Sequence, residues 1–548
     1  MSPDDKRFFK KELKFVWNSF FGMFRSLTSV QKQAIPIVLN KENCVISSAT
    51  ASGKTEAVLG PVLETMYREK WSPVSVLYIC PTRALVNDMY KRFLEQTETL
   101  DVSIAIKTGD KNNFKFKSPQ DVLITTPESM DSLISRHPKL LTNIRAVIVD
   151  EIHLIDNTYR GDQMLFLLRR LKKITNNKLS IYLISATISD PDSIGKRYIG
   201  ENNFKVVHIQ GNRDIEYTFI PHVSALADFV KKEHLRKLLV FCNRRRSVEG
   251  LSQELANIFG KRYVGVHHGS LSKQEREEIE HFMKEGRFGI CVSTMTMEVG
   301  IDIGSLDAVV IAEPPWTLPS FIQRIGRAGR KKSKSRVFLL YNSLEEKYYL
   351  SNLISLLKSN NFGDYFEYLP DLSVIPQQLF SILYGNPSGV AKKEIFKIFH
   401  GFCDDYELRE ILHFLSEKGW ITETRDKWFA TENLMDLGEK GKIHSNIPNA
   451  EVMYVKEINS GKVIGEVILP IDSIFILSGK VWRIVKIVDN IIFVKHAKIK
   501  GNIPSFKPIR NRGAFYYFLP PDIRAKMDAV YKKKMDEIFG GRYHSSNI

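Results

Sequence analysis

The alternation of apolar and polar positions changes character near residue 345. Before that point, apolar runs of strand length recur: CVISS (44–48), VSVLYIC (74–80), DVLITT (121–126), RAVIVD (145–150), LSIYLIS (179–185), KLLVFC (237–242), FGICVST (288–294), LDAVVIA (306–312) and SRVFLLY (335–341). Helical patterns separate most of them. Continuously apolar strands alternating with helices predict parallel sheets covered on both faces. The strands are too many for one compact sheet, and the irregular stretch NRDIEYTFIPHVS (212–224) marks a break. Two α/β domains are expected, over about 1–212 and 213–345.

Beyond residue 345 amphipathic helices take over. Leu408, Ile411, Leu412 and Leu415 follow the i, i+3, i+4, i+7 stripe of a helix with one buried face. WITETRDKWFAT (420–431) then reads as a two-stranded ribbon, so a winged helix is expected at about 370–435, within a segment of connecting helices spanning 346–440. EINSGKVIG predicts a hairpin turning at Asn459-Ser460-Gly461, and VWRIVKIVDNIIFVKHA another turning at Asp489-Asn490. These suggest a small β-barrel over 441–512, followed by a terminal helix and tail over 513–548.

The first candidate chemistry is SSATASGKTEA (47–57), which ends a strand run and opens a helix. It nearly meets the phosphate-loop pattern G-x-x-x-x-G-K-[ST]: Gly53, Lys54 and Thr55 are in place, and Ser48 stands at the first glycine position. Backbone N–H groups at a helix N-terminus attract phosphate, a lysine reaches the outer phosphates, and the Thr hydroxyl ligates Mg²⁺. A plain strand–loop–helix turn with a chance G-K-T is the competing explanation. RAVIVDEIHLI answers it. Asp150 ends a strand run as an Mg²⁺ partner, Glu151 is placed to orient or deprotonate a water, and His153 completes D-E-I-H.

Composition adds little until charge is counted. The 548 residues are 43% hydrophobic and 26% charged, as in an ordinary globular chain. No apolar stretch reaches the length of a membrane span, and MSPDDKRFFKKELKF lacks a signal-peptide core, so a cytoplasmic protein without membrane partners is expected. Five scattered cysteines with no C-x-x-C pair speak against a zinc knuckle, an Fe–S cluster or a disulfide framework. Lys and Arg total 79 against 62 acidic residues, a net +17, which suits a polyanionic partner, although a generally basic proteome would give the same count.

Taken in order along residues 20–340, the motifs resemble those of superfamily 2 helicases. LTSVQKQAIP (27–36) resembles the Q motif, PTRALVND (81–88) motif Ia, ITTPES (124–129) motif Ib, SAT (185–187) motif III and VFCNRRRS (240–247) motif IV. HHGSLS (267–272) precedes STMTMEVGIDIG (293–304), similar to motif V, and QRIGRAGR (323–330) is similar to motif VI. DEIHLIDNTYRGDQ (150–163), with its Arg160-Gly161 pair, resembles the Lhr (large helicase-related) group. LSVIPQQLFSIL (372–383) and GKVWRIVKI (479–487) extend that likeness more softly. Two departures stand out. Ala51 replaces a glycine of A-x-T-G-x-G-K-T, and these 548 residues are expected to hold little of the helical bundle into which Lhr proteins continue.

The resemblance implies two tandem RecA-like parallel-sheet domains followed by a winged helix and a small β-barrel, with ATP and Mg²⁺ as cofactors. By motif position, Gln31 would read adenine, and Ser52, Gly53, Lys54, Thr55, Gly300 and Asp302 would contact the nucleotide. Thr55 and Asp150 would hold Mg²⁺. Lys54, Asp150, Glu151, Gln323, Arg327 and Arg330 would carry catalysis, the last two as fingers on the γ-phosphate. His153, Ser185 and Thr187 would couple the sites. Arg83, Thr126, Pro127 and Thr294 would grip a sugar–phosphate backbone without reading sequence. The implied activity is ATP-driven, 3′-to-5′ tracking on DNA with duplex unwinding or remodelling in repair or recombination. An RNA helicase or RNP remodeller, or an ATP-gated clamp regulating a protein partner in a repair or defence complex, are the alternatives. The basic segment 480–512, with Trp482 and Phe493 interleaved, would either grip the strand or keep its aromatics as core.

Overall fold

The computed structural model describes residues 3–22, 26–48, 52–185, 190–201, 203–209, 215–298, 303–315, 318–328, 335–359, 368–448, 452–497, 501–504 and 512–539. No helix among them is long and apolar enough to cross a membrane. The apolar runs form two parallel sheets. The first contains β1 (Cys44–Ser48), β2 (Val76–Ile79), β3 (Ile104–Lys107), β4 (Val122–Thr125), β5 (Ala146–Val149), β6 (Ser180–Ser185) and β7 (Lys205–Ile209), in the order β3-β4-β2-β5-β6-β1-β7. The second contains β8 (Ile215–Ile220), β9 (Lys237–Phe241), β10 (Val264–His267), β11 (Gly289–Ser293), β12 (Ala308–Ile311) and β13 (Ser335–Leu340), in the order β10-β11-β9-β12-β13-β8. Every residue of β1, β2, β4 and β5 is buried, which is why these runs carry no polar alternation. In such sheets ligands gather beyond the carboxyl ends of the strands. β1, β2, β4, β5 and β6 all end at that edge of the first sheet, and the described residues there include SGKT, PTRA, TTPE and DEIH, with Ser185 of SAT closing β6. Threonines start several of the helices there. The Thr82 hydroxyl accepts from the Leu85 N–H, Thr126 from Ser129 and Thr158 from Arg160 and Gly161.

The segment expected as a winged helix contains helices Val374–Tyr384, Lys392–Phe399 and Asp405–Glu417 with β14 (Val390–Ala391), β15 (Ile421–Glu423) and β16 (Lys427–Ala430) paired in the order β14-β16-β15. It belongs to the same compact unit as the first parallel sheet: residues 1–210, 366–449 and 510–548 cluster together. All eleven residues of Val374–Tyr384 are buried, and the apolar core runs unbroken from the sheet into this module, with Phe166 packed 5.0 Å from Phe399 and 4.9 Å from Phe402. Polar groups fix the register of the contact. Asp131, fully buried, accepts from Arg170 at 2.7 Å, from the Ser381 hydroxyl at 2.7 Å and from the Gln377 amide at 2.9 Å. The RGDQ signature does the rest. Arg160 pairs with Glu128 at 2.7 Å, the Asp162 carboxylate accepts from the Tyr368 hydroxyl and the Asp371 N–H, and Gln163 donates to the His444 carbonyl at 2.9 Å. Gly161 is required because a Cβ would sit 2.4 Å from the Ile155 carbonyl oxygen.

The C-terminal sheet contains β17 (Met453–Glu457), β18 (Val463–Val467), β19 (Ile474–Leu477), β20 (Lys480–Val488) and β21 (Ile491–His496). Both expected hairpin turns are present: Gly461 takes φ +69° and Asp489 takes φ +51°. The sheet is mixed, in the order β18-β17-β21-β20-β19, and no β18–β19 pairing closes it into a barrel among the described residues. The outer edge of β18 is occupied instead by residues 270–272, where Ser272 N–H donates to the Ile464 carbonyl and Glu466 N–H to the Ser270 carbonyl, each at 2.8 Å. A strand edge left unpaired is a liability, and this chain covers it with its own HHGSLS segment. The sheet therefore joins the unit of the second parallel sheet: residues 211–365 and 450–509 form the other compact unit. Trp482 is 2% exposed and donates to the Leu477 carbonyl at 2.9 Å, so its ring is core and not a stacking platform. Phe493 is half-buried under the Lys486 ammonium. Lys498, Lys500, Lys507 and Arg510 lie outside the described residues.

Burial pushes the Asp162 carboxyl up to about 8, against the Tyr368 and Asp371 hydrogen bonds and with the neighbouring Asp371 and Asp156 carboxyls reinforcing it. Arg197 is the nearby cation, pairing with Asp156 and lying 3.9 Å over the Tyr368 ring. An unfolded aspartate titrates near about 3.9. Between these values the folded chain keeps a proton the unfolded chain has lost, so this contribution is complete at low pH and is lost as pH rises through about 8. Thermal midpoints should therefore fall between about pH 5 and 8.5, and Asp162→Asn, which keeps a neutral side chain, should flatten that fall. Parallel midpoint curves for the two proteins would show that Asp162 stays ionised.

Candidate functional site

Gly53 is the N-cap of helix Lys54–Glu69 and sits at φ +81°, in the left-handed region. A Cβ there would lie 2.3 Å from Gln31 Nε2. Gln31 is 3% exposed, and both ends of its amide are engaged: Oε1 accepts from the Thr28 N–H at 2.9 Å and Nε2 donates to the Gly53 carbonyl at 3.4 Å. The Thr28 hydroxyl donates to the Ser52 carbonyl at 2.8 Å, and the Ser48 and Ser52 hydroxyls lie 2.6 Å apart. The residue expected to read adenine thus braces the phosphate loop. Lys54 is buried, with Nζ donating to the Ser48 carbonyl at 2.7 Å. Ala51 lies outside the described residues.

The acidic pair follows β5. Asp150 is 5% exposed and accepts from the Tyr78 hydroxyl at 2.7 Å. Thr55, 95 positions away in sequence and expected to share a metal with Asp150, is a close neighbour of the same phenol. Burial, and then the charge of Glu151, raise the Asp150 carboxyl, while Tyr78 and Lys54 oppose the rise. A buried acid held under such strain gains from a divalent cation. Glu151 adopts φ +46°, unusual for a residue with a side chain, and its N–H donates to Asp150 Oδ1 at 2.9 Å. Glu151 Oε2 lies 3.3 Å from His153 Nδ1 but has no hydrogen-bond partner. His153 Nδ1 also meets the Ser185 hydroxyl at 2.9 Å, and burial lowers its pKa, so the neutral ring bridges the acidic box to the SAT motif. Thr187 lies outside the described residues.

These groups fit a magnesium nucleotide: a helix N-terminus entered through a left-handed glycine, a buried lysine, a buried carboxylate bonded to a tyrosine hydroxyl, and a carboxylate oxygen that makes no hydrogen bond. The strand-contact candidates of the first domain share its carboxyl edge. Arg83 is 62% exposed, 3.6 Å from Asp110, and packs so close to Gly109 that a Cβ there would lie 2.8 Å from its guanidinium. Thr126 caps helix Pro127–Arg136, which starts at Pro127. In the second domain Thr294 follows β11, with its N–H donating to the His267 carbonyl at 3.2 Å. Gly300, Asp302 and Arg330 lie outside the described residues. Gln323 Oε1 is buried without a hydrogen-bond partner. Arg327 is 4% exposed and donates to the Glu298 carbonyl through Nε at 3.2 Å and Nη2 at 2.5 Å.

Sequence reasoning missed Tyr78 and Arg324. Tyr78 looks like one more apolar residue of a buried strand, and only its hydroxyl, which must find a partner when buried, hinted at more. Arg324 was grouped with the other motif VI arginines. Its guanidinium donates to Glu298 Oε1 at 2.6 Å and to Asn243 Oδ1 at 2.9 Å, which ties motifs IV, V and VI together.

Residues 28–194 match the DEAD/DEAH box helicase family and residues 221–332 the helicase conserved C-terminal domain. The chain is 29% identical over 558 residues to the ATP-dependent helicase Lhr-Core of Sulfolobus acidocaldarius, covering 89% of this chain and 62% of that one. It is 27% identical over 584 residues to the protein of the same name from Methanocaldococcus jannaschii, covering 95% and 67%. The chain thus spans about two thirds or less of these relatives' own length. Among solved structures, the DUF1998 helicase MrfA bound to DNA matches with a TM-score of 0.70 at 22% identity, covering 89% of this chain and 73% of that one. The Mycobacterium smegmatis helicase Lhr bound to ssDNA and AMP-PNP matches with a TM-score of 0.67 at 23% identity, covering 79% and 62%. At those identities the likeness is one of fold.

The brace on the phosphate loop yields a sharp expectation. Gly53→Ala adds left-handed strain of roughly 1–2 kcal/mol and drives a methyl group into Gln31. Binding of a fluorescent ATP analogue should weaken by about tenfold or more, while the thermal midpoint, governed by the two cores, moves little. Undiminished binding would mean that the loop does not hold the phosphates in this conformation.

Proposed function

Because this chain belongs to the superfamily 2 DExH-box helicases, we propose that it is an ATP-driven nucleic-acid motor of the Lhr type, tracking 3′ to 5′ along one DNA strand and unwinding or remodelling duplex. The observation that carries this reading is the buried Tyr78–Asp150 pair beside Lys54, with a Glu151 oxygen that makes no hydrogen bond. It supports reading a phosphate cradle, a metal seat and a base on one sheet edge.

ATP with Mg²⁺ supplies a phosphoanhydride bond whose cleavage by water releases the energy for movement. The N–H groups at the start of Lys54–Glu69, together with Lys54, would hold its phosphates, and Thr55 and Asp150 its metal ion. Lys54 must leave the Ser48 carbonyl to do so. Glu151 Oε2, which makes no hydrogen bond, would accept the proton of the attacking water. His153 carries a change at Glu151 to Ser185 and so to the SAT motif. Arg327 and Arg330 would stabilise charge that develops on the phosphates, Arg327 exchanging its bond to the Glu298 carbonyl. Arg83, Thr126, Pro127 and Thr294 would position the strand by its backbone, so the motor is indifferent to sequence.

Two measurements test this. Glu151→Gln should bind ATP and fold normally yet lose turnover by about 10²–10⁴-fold, as expected for loss of a general base, and Lys54→Ala should lose both affinity and turnover. Near wild-type hydrolysis in either variant refutes the assignment. Displacement assays with 3′-tailed and 5′-tailed duplexes in DNA, RNA and hybrid form should show ATP-dependent strand release on the 3′-tailed DNA. Release confined to RNA duplexes would make the protein an RNA helicase, and stimulated ATPase with no release on any substrate would make it a clamp.

A further inference from the structure

Two adjacent histidines in HHGSLS face different tasks. His267 Nε2 meets Glu280 Oε1 at 3.0 Å and its Nδ1 meets the Thr296 hydroxyl at 2.8 Å. A ring buried to 1% exposure, whose pKa is lowered chiefly by that burial, donates from Nε2 to the carboxylate and accepts at Nδ1. The Thr296 hydroxyl is thereby tied down two residues after Thr294, the strand-contact candidate whose own N–H donates to the His267 carbonyl.

His268, fully buried, has Nε2 3.0 Å from Glu249 Oε1. Glu249 is also fully buried, and its remaining capacity is taken by the C-terminal sheet: Oε1 accepts from the Ser478 N–H and Oε2 from the Gly479 N–H, each at 2.8 Å. Those two residues form the turn between β19 and β20, in left-handed conformation at φ +56° and +67°. Gln253 donates to the Gly479 carbonyl at 2.7 Å from the other side. At the opposite rim of the sheet, β18 pairs with residues 270–272, and Gly465 lies so close that a Cβ would sit 2.3 Å from the Ser270 carbonyl oxygen. The segment 267–272 is thus held at one end by the motif V turn and along its length by the C-terminal sheet.

We propose that Glu249 and His268 are positioning residues: by clamping the C-terminal sheet onto HHGSLS they set, through His267 and Thr296, the turn at Thr294 that grips the strand. The sheet acts on nucleic acid by aiming this turn, not by touching bases, in keeping with the burial of Trp482. The inference rests on the proposed strand contact at Thr294.

Gly465→Ala wedges the sheet off the strap without touching a histidine or the motor core, and Glu249→Gln removes one acceptor from the clamp. Each should raise the single-strand concentration giving half-maximal ATPase stimulation by about tenfold, while strand-free ATPase stays within about twofold of wild type. Thr296→Val should raise the half-saturating concentration similarly, and the double variant Gly465→Ala/Thr296→Val should be no worse than the poorer single one, because both break one line of contacts. Because Glu249→Gln could simply unfold the unit, each variant is checked by a cooperative thermal transition, and Gly465→Ala decides where Glu249→Gln fails that check. Unchanged half-saturation in Gly465→Ala, or additive losses in the double variant, overturns the proposal while leaving the motor reading intact. A wild-type ATPase that no strand stimulates removes the motor reading itself, and this inference with it.

Discussion

A carboxylate taken out of water has to be met by donors or by a cation, and this constraint organises the chain at every level. Five buried acids show it. Asp131 and Asp162 are met by groups of the winged helix, Glu249 by the turn of the C-terminal sheet and by His268, and Glu298 by Arg324 and Ser320. Removing one partner from such a cluster leaves a charge or a dipole stranded, at a cost of several kcal/mol, so each acid specifies one arrangement of the elements around it. Asp150, the fifth, is met by the Tyr78 hydroxyl and the Glu151 N–H, and it is the acid proposed to hold the metal ion.

The same acids explain how the accessory modules are attached. Residues 368–444 are bonded into the unit of the first parallel sheet through Asp131, Asp162 and Gln163, and the C-terminal sheet into the unit of the second through Glu249 and the HHGSLS edge. Each module therefore packs with one parallel sheet. RGDQ lies on the same stretch of chain as Glu151, and HHGSLS is bonded to the turn after Thr294, so each signature motif links an attachment to a candidate site.

Much of this was legible in sequence, for identifiable reasons. Buried parallel strands leave uninterrupted apolar runs, so the two α/β domains could be read from 44–48 through 335–341. The hairpin turns at Asn459-Ser460-Gly461 and Asp489-Asn490 carry residues that tolerate left-handed backbone, and both formed. The phosphate loop and acidic box were recognisable because their chemistry demands particular residues at strand ends. What escaped was long-range. Periodicity at 441–512 predicts strands but cannot say that β18 will pair with residues 270–272 rather than close a barrel. The bonds that join the Gln31 amide at both ends to Thr28 and Gly53 are likewise not readable from the motif. His267 and His268 have no motif-level signal that separates core from chemistry, because their partners lie up to 29 and 19 positions away.

The chain enters each unit more than once: residues 1–210, 366–449 and 510–548 build one, 211–365 and 450–509 the other. The core of the first unit includes Val45 at one extreme and Ile523 at the other. During synthesis, then, the first motor sheet emerges hundreds of residues before the segments that cover it. The apolar face awaiting helix Val374–Tyr384 stays open while the second domain is being made, and side chains that help seal it, such as Ile523, arrive later still. Contacts of such long sequence separation are slow to form, and a nascent chain stalled near residue 345 would display that face to any chaperone or neighbour within reach.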